Sequence, residues 1–98
     1  MAERSRHPSW QTREMRELVD AFRSLKSRAE LEAFLRDLCT IGELEAMAHR
    51  WAVARLVAQG LPYTEVAEKT GASTATVTRV AHWLNHGEGG YRTALERA

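Results

Sequence analysis

One segment, residues 41–59, constrains the fold more than any other because it is apolar on every side of a helix. Thr40 precedes it as a predicted N-cap, Glu43 stands at the capping-box position, and Gly60 and Pro62 end it. Its apolar side chains are Leu44, Met47, Trp51, Val53, Leu56, Val57 and five alanines. A helix that is apolar all round must be buried all round. A chain of 98 residues offers too little protein to surround it, so we expect a homodimer.

The rest of the chain predicts a small all-α fold of five or six short helices. Residues 1–12 are polar and lack periodicity, which indicates a flexible arm with Trp10 as a candidate anchor. Apolar stripes at helical spacing predict further helices over 13–25, 28–38, 63–70, 74–85 and 91–97. No segment alternates as a strand would. We predict one domain over 13–98, with dimerisation helices in 13–60 and a helix-turn-helix in 63–85.

Composition excludes several classes of protein. The formal net charge of +1 excludes a polycation, so any nucleic-acid binding must use a local patch. Cys39 is the single cysteine, which excludes a disulfide framework and favours a reducing compartment, most simply the cytoplasm. No apolar run approaches the roughly 20 residues that a membrane span needs. No catalytic triad, phosphate loop or carboxylate pair stands out, so we expect neither an enzyme nor a cofactor.

Residues 63–82 have the pattern of a helix-turn-helix. Such a motif joins two steeply crossing helices by a turn of three or four residues. Ala67 gives the first helix the small residue that close approach requires, and Gly71 accepts the positive φ of the turn. The inner apolar positions are Val66, Val77 and Val80. The alternative is a packed helical hairpin with an ordinary glycine C-cap.

The outward face of the second motif helix presents short hydroxyls and one arginine, which suit phosphates and base edges. Its members are Ser73, Thr74, Thr76, Thr78 and Arg79. Residues 61–98 contain four basic and four acidic residues, and within the motif only Lys69 and Arg79 are cationic. Phosphate attraction scales with the cations engaged, so one subunit should bind double-stranded DNA weakly. A dimer would place two recognition helices about 34 Å apart on a palindromic site. The alternative is an interaction module whose motif holds a partner protein.

The stretch from Asp37 to Trp83 resembles the tryptophan repressor superfamily, and its YerC/YecD-like branch in particular. The resemblance depends on residues 39–41, on Arg50, on residues 71–79 and on the tail 84–91. It implies an intertwined homodimer with a helix-turn-helix at each end, acting as a transcriptional repressor. The family's guanine-reading arginine is Thr64 here, so we expect a different operator, with Thr64 and Lys69 on phosphates.

The resemblance also implies a ligand pocket, which this chain retains only in part. Four positions match the family's corepressor contacts: Thr40, Arg50, Thr76 and Arg79. A glycine beside the ligand is replaced by Val80, a serine by Trp83, and two leucines of the partner chain by Asp37 and Cys39. We therefore expect a pocket that is filled by Val80 and Trp83 or accepts a ligand other than tryptophan. Alternatively, Arg50 and Arg79 are a structural pair satisfied by glutamates and backbone carbonyls.

For the histidines and tryptophans, structural roles are simpler interpretations than metal binding, pH sensing or base stacking. His82 and His86 share a helix face, but two ligands do not make a metal site, so an exposed pair is expected. His49 is either a pH-sensitive interface residue or, as we favour, a hydrogen-bonded core or seam histidine. Trp51 and Trp83 are predicted core aromatics, since neither lies in a basic run suited to base stacking.

Overall fold

The computed structural model describes residues 10–98, which form six α-helices and no strand. The helices are α1 (Arg13–Ser24), α2 (Arg28–Leu38), α3 (Ile41–Ala58), α4 (Tyr63–Thr70), α5 (Thr74–His86) and α6 (Gly90–Arg97). The all-α prediction is confirmed. Most of the predicted arm, residues 1–9, lies outside the described residues. The chain divides after Cys39 into two units. None of the helices within 10–98 has the length and hydropathy that crossing a bilayer requires.

The first unit contains α1 and α2, and each helix begins at a hydroxyl N-cap. Thr12 accepts the Met15 N–H at 3.1 Å. Ser27 accepts the Glu30 N–H at 3.1 Å, as predicted, while the Glu30 carboxylate accepts the Lys26 N–H at 2.8 Å. No residue of either helix is fully buried, and Val19, Leu31 and Leu38 are exposed. The apolar stripes that define these helices are therefore only partly covered in one chain.

Helix α3 begins at the capping box that the sequence predicts. Thr40 Oγ1 accepts the Glu43 N–H at 3.1 Å, and the Glu43 carboxylate accepts the Thr40 N–H at 2.8 Å. Val53 and Ala54, in its C-terminal half, are its only buried residues, whereas Ile41 near its start is 50% exposed. One chain thus covers only the C-terminal part of a helix that is apolar all round.

The second unit packs α4 and α5 against the C-terminal half of α3. Its core contains the predicted inner positions Val66, Val77 and Val80, all fully or almost fully buried. Trp51 packs against this core and stacks on Tyr91 of α6, with ring centroids 6.4 Å apart. The prediction that Trp83 is a core aromatic is wrong for one chain, because its side chain is 55% exposed.

Candidate nucleic-acid interface

The turn between α4 and α5 consists of three residues, Gly71, Ala72 and Ser73. A turn this short requires the backbone conformation that Gly71 adopts. Gly71 has φ +78°, the left-handed conformation that a glycine adopts without steric cost, and its N–H donates to the Ala67 carbonyl at 2.8 Å. Ala72 then turns inward and is buried. Thr70 Oγ1 accepts the Ala72 N–H at 3.2 Å, which fixes the direction in which the chain leaves α4.

His49 connects this turn to α3. Its Nε2 lies 2.9 Å from the Thr70 carbonyl oxygen, the last carbonyl of α4. The interpretation of His49 as a hydrogen-bonded seam residue is therefore confirmed. The contact ties the base of the motif to the helix that also forms its core.

The first turn of α5 is held by its own hydroxyls. Ser73 Oγ accepts the Thr76 N–H at 3.1 Å and donates to Thr76 Oγ1, also at 3.1 Å. Ser73 is thus the N-cap of α5. These two of the five predicted recognition residues are engaged with each other.

The outward face of α5 forms a shallow groove of about 600 Å³. It is lined by Thr74, Ala75, Thr78, Arg79 and His82, all exposed. The predicted residues Thr74, Thr78 and Arg79 therefore lie together, whereas Ser73 and Thr76 do not line this groove. Ala75 and His82 were not predicted, although helical spacing from Thr74 and Thr78 would have included them. No carboxylate lines the groove, so it suits a polyanion.

A second cavity, of about 300 Å³, lies on the neighbouring face of α5. It is lined by Arg50, Thr76, Arg79, Val80, Trp83 and Tyr91, and so brings together five of the six predicted pocket residues. Thr40 is not among them, and its hydroxyl caps α3. Tyr91 was not predicted. Val80 and Trp83 line the cavity in one chain and leave it open.

Arg79 lines both the groove and this cavity. Between described residues, ion pairs join Arg28 to Glu32 at 3.0 Å and Lys69 to Glu65 at 4.0 Å. Among residues 10–98 of one chain, neither Arg50 nor Arg79 forms an ion pair. Two guanidinium groups thus border one open cavity without a counterion among these residues.

The two predicted phosphate contacts lie at opposite ends of α4. Thr64 is exposed in the first turn, where Pro62 supplies no side-chain cap and backbone N–H groups point outward. Lys69 is exposed in the last turn, and its ion pair with Glu65 is at the distance limit. Both residues are accessible from solvent.

The two histidines of α5 lie side by side at its C-terminal end. The ring centroids of His82 and His86 are 5.1 Å apart, and both residues are exposed. Within the described part of the chain, no group of three or more His, Cys, Asp or Glu residues could hold a metal ion.

The fold of this region is that of a helix-turn-helix protein. An eight-residue helix and a thirteen-residue helix pack on one shared core, and a three-residue turn with a left-handed glycine joins them. The alternative of an ordinary hairpin does not account for the open hydroxyl and arginine groove. The family model of the Trp repressor protein matches residues 13–98, and the chain belongs to the Trp repressor family.

Individual relatives agree with this assignment. YerC of Bacillus subtilis is 42% identical over 85 residues, covering 87% of this chain and 82% of YerC. The Trp operon repressor homolog of Chlamydia trachomatis is 33% identical over 82 residues, covering 79% of this chain and 87% of the homolog. The crystal structure of a TrpR like protein from Eubacterium eligens superposes with a TM-score of 0.82 at 41% identity. The superposition covers 90% of this chain and 91% of that protein. The resemblance to the YerC-like branch is confirmed.

Proposed function

We propose that this chain is a sequence-specific DNA-binding transcriptional regulator, a repressor, and that it acts as a homodimer. The observation that carries the proposal is the groove along α5, where Thr74, Thr78 and Arg79 lie together without a carboxylate. Hydroxyls and a guanidinium on one exposed helix face can donate to base edges in the major groove. Membership of the Trp repressor family supports the same function.

Within this proposal the contacts divide by type. Thr74, Thr78 and Arg79 read base edges, and Thr64 and Lys69 contact phosphates from the two ends of α4. Ser73 and Thr76 hold the first turn of α5 and approach the DNA only at the start of the recognition helix. Phosphate contacts position the protein and base contacts specify the sequence.

Dimerisation supplies what one subunit lacks. The apolar stripes of α1 and α2 and the N-terminal half of α3 are only partly covered in one chain, which favours a second copy as their cover. Two subunits double the few cationic contacts and match a palindromic operator with half-sites about 34 Å apart. One chain weighs 11.1 kDa, so light scattering at micromolar concentration should give about twice that mass. A mass of one chain would contradict the dimer.

The cavity beside Arg50 and Arg79 is the proposed effector pocket, for a ligand other than tryptophan. Its wall contains Val80 where the family resemblance implies a glycine against the indole, and Trp83 where it implies a serine that meets the ligand's amino group. These larger side chains leave less room for an indole than a glycine and a serine would. Calorimetric titration with L-tryptophan should therefore show no saturable heat, and micromolar binding would contradict this part of the proposal.

Selection from a random duplex library, followed by gel shifts of the enriched sequence, tests the main proposal. We expect a palindromic site whose affinity falls by about fivefold to 150-fold in Arg79→Ala, since a bidentate arginine contributes about 1–3 kcal/mol of base discrimination. Arg97→Ala removes an exposed arginine of α6 and is the matched control. Dimer mass and helicity are measured for both variants. Absence of enrichment at low salt would contradict DNA binding and favour the interaction module instead.

A further inference from the structure

A third concave site, separate from the recognition groove and the effector pocket, lies between α3 and α4. It has a volume of about 430 Å³. Its apolar floor includes Ala52 and Leu56, and its polar wall consists of His49, Arg55, Gln59, Lys69 and Thr70. None of these residues lines the cavity beside Arg50 or the groove on α5. The family resemblance assigns no role to Arg55 or Gln59.

The charge of this site is one-sided. Arg55 and Lys69 are the charged residues of its wall, and no carboxylate lines it. Arg55 has no ion-pair partner among residues 10–98. Lys69 reaches Glu65 only at 4.0 Å, with side chains 54% and 46% exposed, and such a solvated pair is weak. Two cations therefore converge on one cavity with little compensation, an arrangement that a bound anion would stabilise.

The wall of the site is also well positioned. The contact between His49 Nε2 and the Thr70 carbonyl, at 2.9 Å, joins α3 to the last residue of α4. Arg55 and Gln59 are one helical turn apart, and the Gln59 N–H donates to the Arg55 carbonyl at 3.2 Å. A ligand that binds here meets side chains anchored on two helices already joined at this end, so little backbone ordering opposes binding.

We propose that this cavity binds a phosphate group. A phosphate has several acceptor oxygens and about 1.5 to 2 negative charges as a monoester, which suits an arginine fork, a lysine ammonium and an amide donor together. The organic part of a phosphomonoester would lie over Ala52 and Leu56. The same side chains would hold a phosphodiester of the DNA backbone, because the recognised chemistry is shared.

Titration with inorganic phosphate, followed by amide chemical shifts at constant ionic strength, tests the site in the unmodified protein. We expect saturable shifts concentrated at residues 55, 59 and 69, with sodium chloride as the reference titration. Arg55→Ala and Lys69→Ala should each weaken phosphate binding about tenfold, the scale of one charge-assisted hydrogen bond. Arg55→Lys keeps the charge but loses the two-pronged guanidinium, so its phosphate affinity should lie between those of the unmodified protein and Arg55→Ala. Arg97→Ala is the matched control and should leave the affinity unchanged.

A second arm, in phosphate-free buffer, identifies the source of the phosphate. If the ligand is the DNA backbone, Arg55→Ala lowers operator affinity and reduces the salt slope by about one unit. If the ligand is a free phosphate compound, Arg55→Ala leaves operator affinity unchanged and weakens phosphate binding alone. Only this arm depends on the proposed function, and Arg79→Ala reports on that function separately.

The site is overturned if phosphate shifts are unsaturable, are spread over the whole protein, or are the same in Arg55→Ala and Lys69→Ala as in the unmodified chain. Both altered side chains are exposed, so the variants should keep their helical content. The shift map of the unmodified protein decides the question even if a variant fails to fold.

Discussion

Replacing Gly71 by alanine tests whether the turn of the motif depends on backbone conformation alone. Gly71 has φ +78°, and a Cβ built on it meets no atom within 4 Å. The left-handed conformation costs an L-residue about 1–2 kcal/mol. Alanine also restricts the unfolded chain, which returns about 0.4–1 kcal/mol. The middle of the two ranges gives a net loss of about 0.8 kcal/mol, without any steric contribution.

Gly42→Ala is the matched control, because the chemical change is identical and the backbone is different. Gly42 lies in the first turn of α3, and its added Cβ would be 4.0 Å from Thr40 Oγ1, an ordinary contact. Alanine is preferred over glycine in a helix by about 0.5–1 kcal/mol, so this variant should be more stable than the parent. The two substitutions should shift stability in opposite directions.

Urea unfolding followed by far-ultraviolet circular dichroism measures both effects. Protein concentration must be the same for all samples, since the stability of a dimer depends on it. The midpoint should fall for Gly71→Ala and rise for Gly42→Ala with unchanged slope. Asparagine tolerates the left-handed region, so Gly71→Asn should lose less stability than Gly71→Ala. Equal or greater stability of Gly71→Ala than of the parent would refute the reasoning.

Three further predictions concern stability and use the same unfolding assay. Val77→Ala should cost about 2–3 kcal/mol because Val77 is completely buried in the motif core, and a loss below that of a surface substitution would contradict the packing. Thr40→Ala should cost about 1 kcal/mol through the lost cap of α3, while Thr40→Ser should retain most of it. Gly87→Ala should cost about 2 kcal/mol or more, because its Cβ would overlap the Trp83 backbone carbonyl, which already accepts the Gly87 N–H at 2.9 Å.

The helix boundaries could be predicted because the interactions that set them are local. The Thr40–Glu43 capping box and the left-handed Gly71 each involve residues within four positions of one another. α3 was predicted to end near Gln59 and ends at Ala58, with Gln59 as its C-cap. Signals of this kind need no knowledge of what packs against the helix.

The face of α5 to which each side chain belongs was predicted less well. Successive helical residues are about 100° apart, so Thr76 points roughly 200° away from both Thr74 and Thr78. It accordingly lines the cavity with Arg50 while they line the groove. Trp83 is off the buried stripe for the same reason, since that stripe follows Val77, Val80, Ala81 and Leu84. The angle of about 100° per residue separates the groove face, the cavity face and the buried stripe of α5. Hydrophobicity alone does not distinguish them.

The position of the motif core along α3 bears on how a dimer would read DNA. α3 has 18 residues and is therefore about 27 Å long, and only Val53 and Ala54 of its C-terminal half are buried under α4 and α5. If the exposed N-terminal halves of two α3 helices pack together, as proposed, each motif lies at the outer end of a rigid helix. The distance between the two recognition helices is then set by helix length, on the scale of the roughly 34 Å between successive turns of the major groove. In such a dimer, a helix that is apolar at both ends would serve two cores, one within each subunit and one between subunits.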